Sequence, residues 1–524
     1  MTVSIRPIGR RALLAAAALP PLAAALPRAG FAQAARPKLT VAVADLPPGL
    51  EPARDMGNVG TRISYTLYDT LIRRDFLSMP GGGGSKLEPG LAASWKRESP
   101  SELVVTLREG VRFHNGDRLH ADDVAFTFSA ERMWGEKPMI PDARNYFGVL
   151  THVEALDDKT VRFRTRGPDV LLEMRLASWA SWIVNKRHYQ AVGIDGFARN
   201  PVGTGPMKFR SFTRDTSAQF EAFDEYWMGR PNFSAVEFRK VPEVATRVAG
   251  LVAGEFDIVT NLPPDQIATL NRYANVEARS VVLANAHLLV FDMRDPVMAD
   301  KRVRQALGLA IDRTLLVETL WNGQAVVPPG HNYPEYGPMF LEGRALAFDP
   351  ERAKKLLREA GYRGQKITYR TMPNYYTNAL AAAEILVEMW KAVGINAELQ
   401  VVESFAQMQG QGQQIGNTSN STRLPDPLGA IWTSWGPNTS FQVRGMWAKE
   451  SAAAFNAAGR ALEVESDPAK RKALFARMLD EWETEAPATI LYLPLETYGV
   501  RKSLKWQPYS FFYMDLRAYN LSFG

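Results

Sequence analysis

The chain reads as a mixed α/β protein. In residues 301–402, helix-period and strand-period stretches follow one another, the pattern of a partly parallel sheet covered by helices. Residues 103–130 spell a strand, a turn and a helix in quick succession. The composition is that of an ordinary globular protein, with 46% apolar and 23% charged side chains over 524 residues, enough chain for about two domains with full cores.

The first residues read as an export address. Arg6, Arg10 and Arg11 precede an apolar run from Ala12 to Leu26, and Ala32-Gln33-Ala34 supplies the small residues a signal peptidase accepts, with cleavage expected after Ala34. The Arg10-Arg11 pair followed by Ala12-Leu13-Leu14 points to the twin-arginine route, with a general secretory signal that holds two arginines as the alternative. Pro20 and Pro21 break the run, which is too short to span a bilayer. The formal net charge of +6 drops to +2 once the four arginines of residues 1–34 are set aside. That is no nucleic-acid footprint. The chain has no cysteine, which suits an oxidising compartment and excludes disulfides, thiolate metal sites, cysteine nucleophiles and a lipid-anchoring cysteine.

Leu39, Val41 and Val43 alternate as an opening strand; residues 46–52 are loop, and Ile63 to Leu71 reads as helix. Pro80-Gly81-Gly82-Gly83-Gly84-Ser85 lacks the Lys-Ser/Thr ending of a phosphate cradle and reads as a hairpin tip. Val104 to Leu107 alternates as a half-buried strand, Arg108-Glu109-Gly110 turns, Val111 to Phe113 is extended, and Asn115-Gly116 is a tight turn. Asp122 and Asp123 load the first turn of a helix with apolar positions at Val124 and Phe128. Val153 to Arg164 forms a hairpin around Asp157-Asp158-Lys159. Trp179 and Trp182 are core positions, with lining a cleft as the alternative. Lys208-Phe209 and Gln219 to Phe223 are further strands, and Ala245 to Ala253 is helical. Later come a helix at 301–311, a helix ending at Gly361, a strand at 367–370, a helix at 380–393 stopped by Gly394, and a strand at 395–402.

Several phrases in this order are distinctive: Ser94-Trp95, Leu107 to Gly116, Ala121-Asp122-Asp123-Val124, Pro201 to Pro206, Tyr226 to Pro231, Gly254-Glu255-Phe256-Asp257, Val303 to Leu307 with Ile311-Asp312-Arg313, and Glu359 to Tyr362. Together they resemble the family 5 extracytoplasmic solute-binding proteins, the dipeptide-, oligopeptide- and nickel-binding components of ABC importers. The resemblance implies a two-lobed periplasmic binding protein fold with mixed sheets, an enlarged first lobe and a two-segment hinge. It places the first lobe at 35–285 with its extra segment at about 60–190, the second lobe at 286–489, and the return of the chain at 490–524. The crossing strands would be 287–291 and 490–495. It also implies a periplasmic monomer that takes a solute into its cleft and delivers it to a membrane permease and ATPase complex, with no cofactor and no chemistry on the solute.

The resemblance places a ligand-touching loop at Asp55, Met56, Gly57 and Asn58, where a plain surface loop is the alternative. It also singles out residues 413–435. Peptide-binding members carry a Trp and then an acid shortly before an Asp-Pro pair, the acid neutralising the peptide's α-ammonium. Here Asp426-Pro427 matches the pair, but Arg423 stands at the acid's position and Asn420 at the tryptophan's. A guanidinium offers a planar fork to carboxylate or phosphate, not to an ammonium. This favours an anionic or strongly polar solute: an opine, an organic acid, a glycoconjugate or an amino-blocked peptide. Residues 417–422 add neutral donors and acceptors in what reads as a loop. Trp432 and Trp435 could stack on a planar group or belong to the core.

Other classes are weaker. The six histidines show no close metal-ligand spacing, so a nickel chelate held by Arg and aromatic groups is the alternative solute. A secreted hydrolase would need a nucleophile elbow or a metalloprotease helix, and neither is present.

Overall fold

The computed structural model describes residues 36–55, 57–373, 376–408, 410 and 412–524. The expected export segment and Met56 lie outside the described residues. Among those described, no helix is long and apolar enough to cross a membrane.

Two large mixed sheets organise the chain. The first holds seven strands in the order Val276–Val282, Leu495–Arg501, Ile258–Val259, Lys38–Val43, Ala235–Lys240, Ser217–Ala222, Met207–Thr213. Lys38–Val43 runs parallel to both of its neighbours, as sequentially distant strands joined through other elements can. The second holds five strands in the order Ala397–Val401, Ile367–Thr371, Ile415–Ser421, Asn285–Phe291, Ala488–Tyr492, and its first three are parallel. A four-stranded antiparallel sheet, Ala92–Ser99, Glu102–Leu107, Thr160–Thr165, Leu150–Ala155, enlarges the first half.

The chain changes sheet twice. Val276–Val282 belongs to the first and Asn285–Phe291 to the second; Ala488–Tyr492 belongs to the second and Leu495–Arg501 to the first. Only Leu283-Ala284 and Leu493-Pro494 lie between, and the Leu283 amide donates to the Pro494 carbonyl at 2.9 Å. Residues 287–291 do not themselves cross, because the whole of Asn285–Phe291 is hydrogen-bonded to Ile415–Ser421.

Alternation buries both faces of the five-stranded sheet. Ala286, Leu288 and Val290 pack with Trp435, Trp447 and Phe475, while Leu289 and Phe291 pack with Leu307, Trp321 and Trp390. Each such leucine, valine or phenylalanine contributes roughly 1.5–3 kcal/mol when fully removed from water. The expected helices at 301–311 and 380–393 are Lys301–Leu309 and Ala379–Ala392, and the hairpin tip at 80–85 joins the paired strands Ile72–Asp75 and Lys86–Pro89.

Four local expectations change. The first helix is Asn58–Leu67 rather than 63–71, because Tyr68 is already extended. The helix Ala121–Thr127 stops one residue short of Phe128, and only an isolated Arg112–Arg118 bridge marks the run at 111–113. The polar run at 417–422 is no loop: Ile415–Ser421 is the middle strand of the second sheet. Its amides find internal partners, Asn417 Oδ1 from the Tyr369 hydroxyl at 3.1 Å and Asn420 Oδ1 from Trp435 Nε1 at 2.6 Å. Satisfied this way, a run of weak strand formers is carried by its neighbours.

The distinctive phrases mostly serve this architecture. His114 and the Pro201–Pro206 turn hold each other: the His114 amide donates to the Gly203 carbonyl, the Gly203 amide to His114 Nδ1 at 3.3 Å, and His114 Nε2 lies 3.0 Å from the Gly205 carbonyl. Burial lowers this imidazole's pKa to about 4. A Cβ at Gly205 would lie 2.4 Å from the Leu67 carbonyl carbon, so only glycine allows the approach. Nearby, the buried Asp69 carboxylate accepts from Thr204, Tyr226, Trp227 and Arg517.

Candidate functional site: the junction of the two sheets

Ligands of open α/β sheets bind beyond the carboxyl ends of the parallel strands. Here both sheets turn those ends towards the crossing segments. In the second sheet Ser421 pairs with Asn285 and His287 with Tyr492, so the strand ends gather where the chain leaves for the first sheet. In the first sheet Val282 pairs with Leu495 at the corresponding end. The junction is tied together by the Thr422 amide donating to the Ala284 carbonyl and the Ala284 amide to the Ser510 carbonyl, each at 2.7 Å.

Arg423 follows directly. It is half-buried, its guanidinium carbon lies 3.7 Å from the centre of a Trp179 ring, and its Nη1 donates to the Tyr146 hydroxyl. Both partners come from the enlarging segment of the first half, so this side chain reaches from one half of the molecule to the other. No carboxylate pairs with it among the described residues. Behind it, Trp182, Tyr65 and Tyr513 form an aromatic wall, Tyr65 stacked on Tyr513 at 4.7 Å and meeting Trp182 edge-on at 5.3 Å.

Several buried polar atoms at the junction lack a hydrogen-bond partner: both amide atoms of Asn285, Thr422 Oγ1 and Trp179 Nε1. Such atoms cost roughly 1–3 kcal/mol each when left unmade, and a bound polar molecule is one way to satisfy them. His287 lies on the same strand as Asn285, its ring 4.2 Å from that of Tyr376; burial lowers its pKa to about 3 and keeps it neutral.

The residues singled out in the sequence fall in different places. Asp55 turns back into its own loop, where it accepts from the Glu51 amide at 3.2 Å; burial raises its carboxyl pKa. Gly57 and Asn58 sit at the start of the first helix, with Gly57 exposed. Asn420 and Trp435 bond each other inside the second core, and Trp435 stacks on Phe441 at 4.6 Å. Asp426 caps the turn Pro427–Gly429 and pairs with Arg471 at 2.8 Å. Trp432 lines a cavity and donates to Glu463. Of the second-half residues named from sequence, Arg423 is the one that makes a side-chain bond to the first half.

Tyr146, Trp179 as a partner of Arg423, and Asn285 were not singled out as site residues. Nothing local marks them, because Tyr146 and Arg423 are 277 residues apart and meet only through the fold. Among the described residues no group of three or more His, Cys, Asp or Glu could hold a metal ion.

Comparison with known proteins agrees with this architecture. The family model for bacterial extracellular solute-binding proteins, family 5 middle, matches residues 86–442. The dipeptide-binding protein of Escherichia coli (strain K12) is 27% identical over 372 residues, covering 65% of this chain and 67% of that protein. The periplasmic binding protein DppA of Helicobacter pylori, solved in complex with peptide STSA, superposes with a TM-score of 0.81 at 22% identity, covering 93% of this chain and 98% of that one. AgaA from A. tumefaciens R10, solved with agropinic acid, gives a TM-score of 0.78 at 20% identity, covering 93% and 99%. At these identities the two structures establish the shared two-lobed fold.

Proposed function

The chain belongs to the family 5 bacterial extracellular solute-binding proteins, and from that premise we propose that it captures a peptide-like solute bearing an anionic group at the junction of its lobes. On this reading it works in the periplasm and hands the solute to an ABC permease, leaving it chemically unchanged. The pairs Leu283-Ala284 and Leu493-Pro494 serve as the two hinge segments, bending while the lobes stay rigid. The relatives named for dipeptides and the neighbour holding agropinic acid support the solute class from its two sides.

The observation that carries the reading is Arg423: a guanidinium with no carboxylate partner among the described residues, held against Trp179 and Tyr146 of the other lobe. Its fork suits a carboxylate or phosphate, and the unpartnered Asn285 amide and Thr422 hydroxyl offer neutral bonds beside it. A solute contacting both lobes shifts the population to the closed form by no more than its extra affinity for that form.

A thermal-shift screen of the mature protein over peptides, amino-blocked peptides, opines, organic acids and nickel chelates tests this, with Arg423→Asp in parallel. At a hundredfold excess over its dissociation constant, a ligand adds about 2.7 kcal/mol. Stabilisation of the wild type by an anionic solute, absent in Arg423→Asp, is expected. Equal stabilisation of both proteins by unblocked peptides would exclude Arg423 from the site.

A further inference from the structure

We propose a second ligand site, for a small polyanion, in the cavity between the segment at 134–175 and the helices Ile431–Trp435 and Ala453–Val464. The cavity has a volume of about 550 Å³, within the range of small-molecule pockets. Four arginines line it, Arg144, Arg166, Arg175 and Arg460, against one acid, Glu463. Glu463 is engaged, accepting from Trp432 Nε1 at 2.9 Å. Arg175 is buried and its charge is balanced by Asp169 at 3.0 Å, yet its Nη2 has no hydrogen-bond partner. Arg144 and Arg166 donate only to backbone carbonyls, and no carboxylate pairs with them or with Arg460 among the described residues.

Like charges gathered around one cavity repel, and the repulsion is relieved by an anion more fully than by water. Arginine forks pair best with the planar or tetrahedral oxygens of carboxylates and phosphates, so the ligand class is a polycarboxylate or a phosphate ester. Arg144, Arg166 and Arg175 come from the first lobe and Arg460 from the second, so a bound polyanion joins the lobes and favours closure independently of the transported solute. Tyr146 borders the cavity and also accepts from Arg423, but Arg423 itself is not among the lining residues, so the two sites are neighbours with separate arginines.

The test is calorimetric titration of the mature protein with citrate and, separately, inorganic phosphate, at constant ionic strength set by sodium chloride. Three proteins are compared: the wild type, the double variant Arg144→Ala/Arg460→Ala and Arg423→Ala. Both changed arginines of the double variant are exposed, so folding is preserved, and a thermal melt verifies it. The proposal expects saturable binding of at least one anion, weakened tenfold or more in the double variant and kept within threefold in Arg423→Ala. Citrate alone binding assigns the polycarboxylate class, and phosphate alone the phosphate esters. No saturable binding, binding unchanged in the double variant, or binding lost only in Arg423→Ala overturns it; the last would place the anion in the solute cleft instead.

Discussion

The guanidinium of Arg423 stands 3.7 Å above a ring of Trp179 while bonding the Tyr146 hydroxyl, and this contact joins the second lobe to the enlarging segment of the first. A lysine at 423 keeps the charge but loses the planar fork and the flat stack. Arg423→Lys is expected to weaken binding of an anionic solute about tenfold, roughly 1.4 kcal/mol, with the melting temperature of the ligand-free protein little changed. Titration followed by tryptophan fluorescence measures it. Unaltered affinity would mean that the fork does not touch the solute.

Asp69 accepts from four side chains in a buried setting, including Arg517 at 2.6 Å. Asp69→Asn keeps the shape and leaves the Arg517 charge to Asp515, its other buried carboxylate partner at 3.1 Å. Weakening the charge-assisted bonds to Asp69 in this way should cost about 1.5–3 kcal/mol. Urea unfolding should show the loss, with a lower midpoint at similar slope.

His114 is neutral in the fold, its pKa lowered to about 4 by burial from an ordinary value of 6.5. The unfolded chain therefore binds the extra proton first as pH falls. Its contribution to stability is fully present above pH 6.5 and is lost progressively as pH falls from there to about 4, at up to about 1.4 kcal/mol per pH unit. Melting curves between pH 7 and 4.5 should fall less steeply for His114→Asn than for the wild type. Comparing slopes cancels other groups, such as Glu483, whose carboxyl burial raises to about 7 and whose effect has the opposite sign. Parallel slopes would show that His114 is already accessible to protons.

Two glycines should respond very differently. Gly205→Ala drives a Cβ against the Leu67 carbonyl carbon and Tyr68 nitrogen, at 2.4 and 2.6 Å, and should cost about 1–3 kcal/mol or more. Gly57→Ala meets nothing within 4 Å at φ −66°, but Gly57 is the N-cap of the first helix, where alanine is poorer than glycine, so the gain from a stiffer unfolded chain is offset and the net change should stay within about 0.5 kcal/mol. Thermal melts of both variants decide.

The sequence by itself determined the α/β class, because apolar spacing and turn residues act locally: the helices at 301–309 and 379–392 lie within two residues of their expected ends. Its phrases also determined the family. It did not reveal that Asn417 and Asn420 sit in a central strand, since their low strand propensity is overridden by Tyr369 and Trp435, residues placed there by other elements. Arg423 was legible as a charge at an unusual position; its partners were not. Tyr146 and Trp179, the unpartnered Asn285 amide and the four arginines of the cavity are gathered from distant stretches of the chain by tertiary packing. Periodicity encodes which face of an element is buried, whereas the meeting of side chains hundreds of residues apart is set by how the sheets dock, which only the tertiary structure decides.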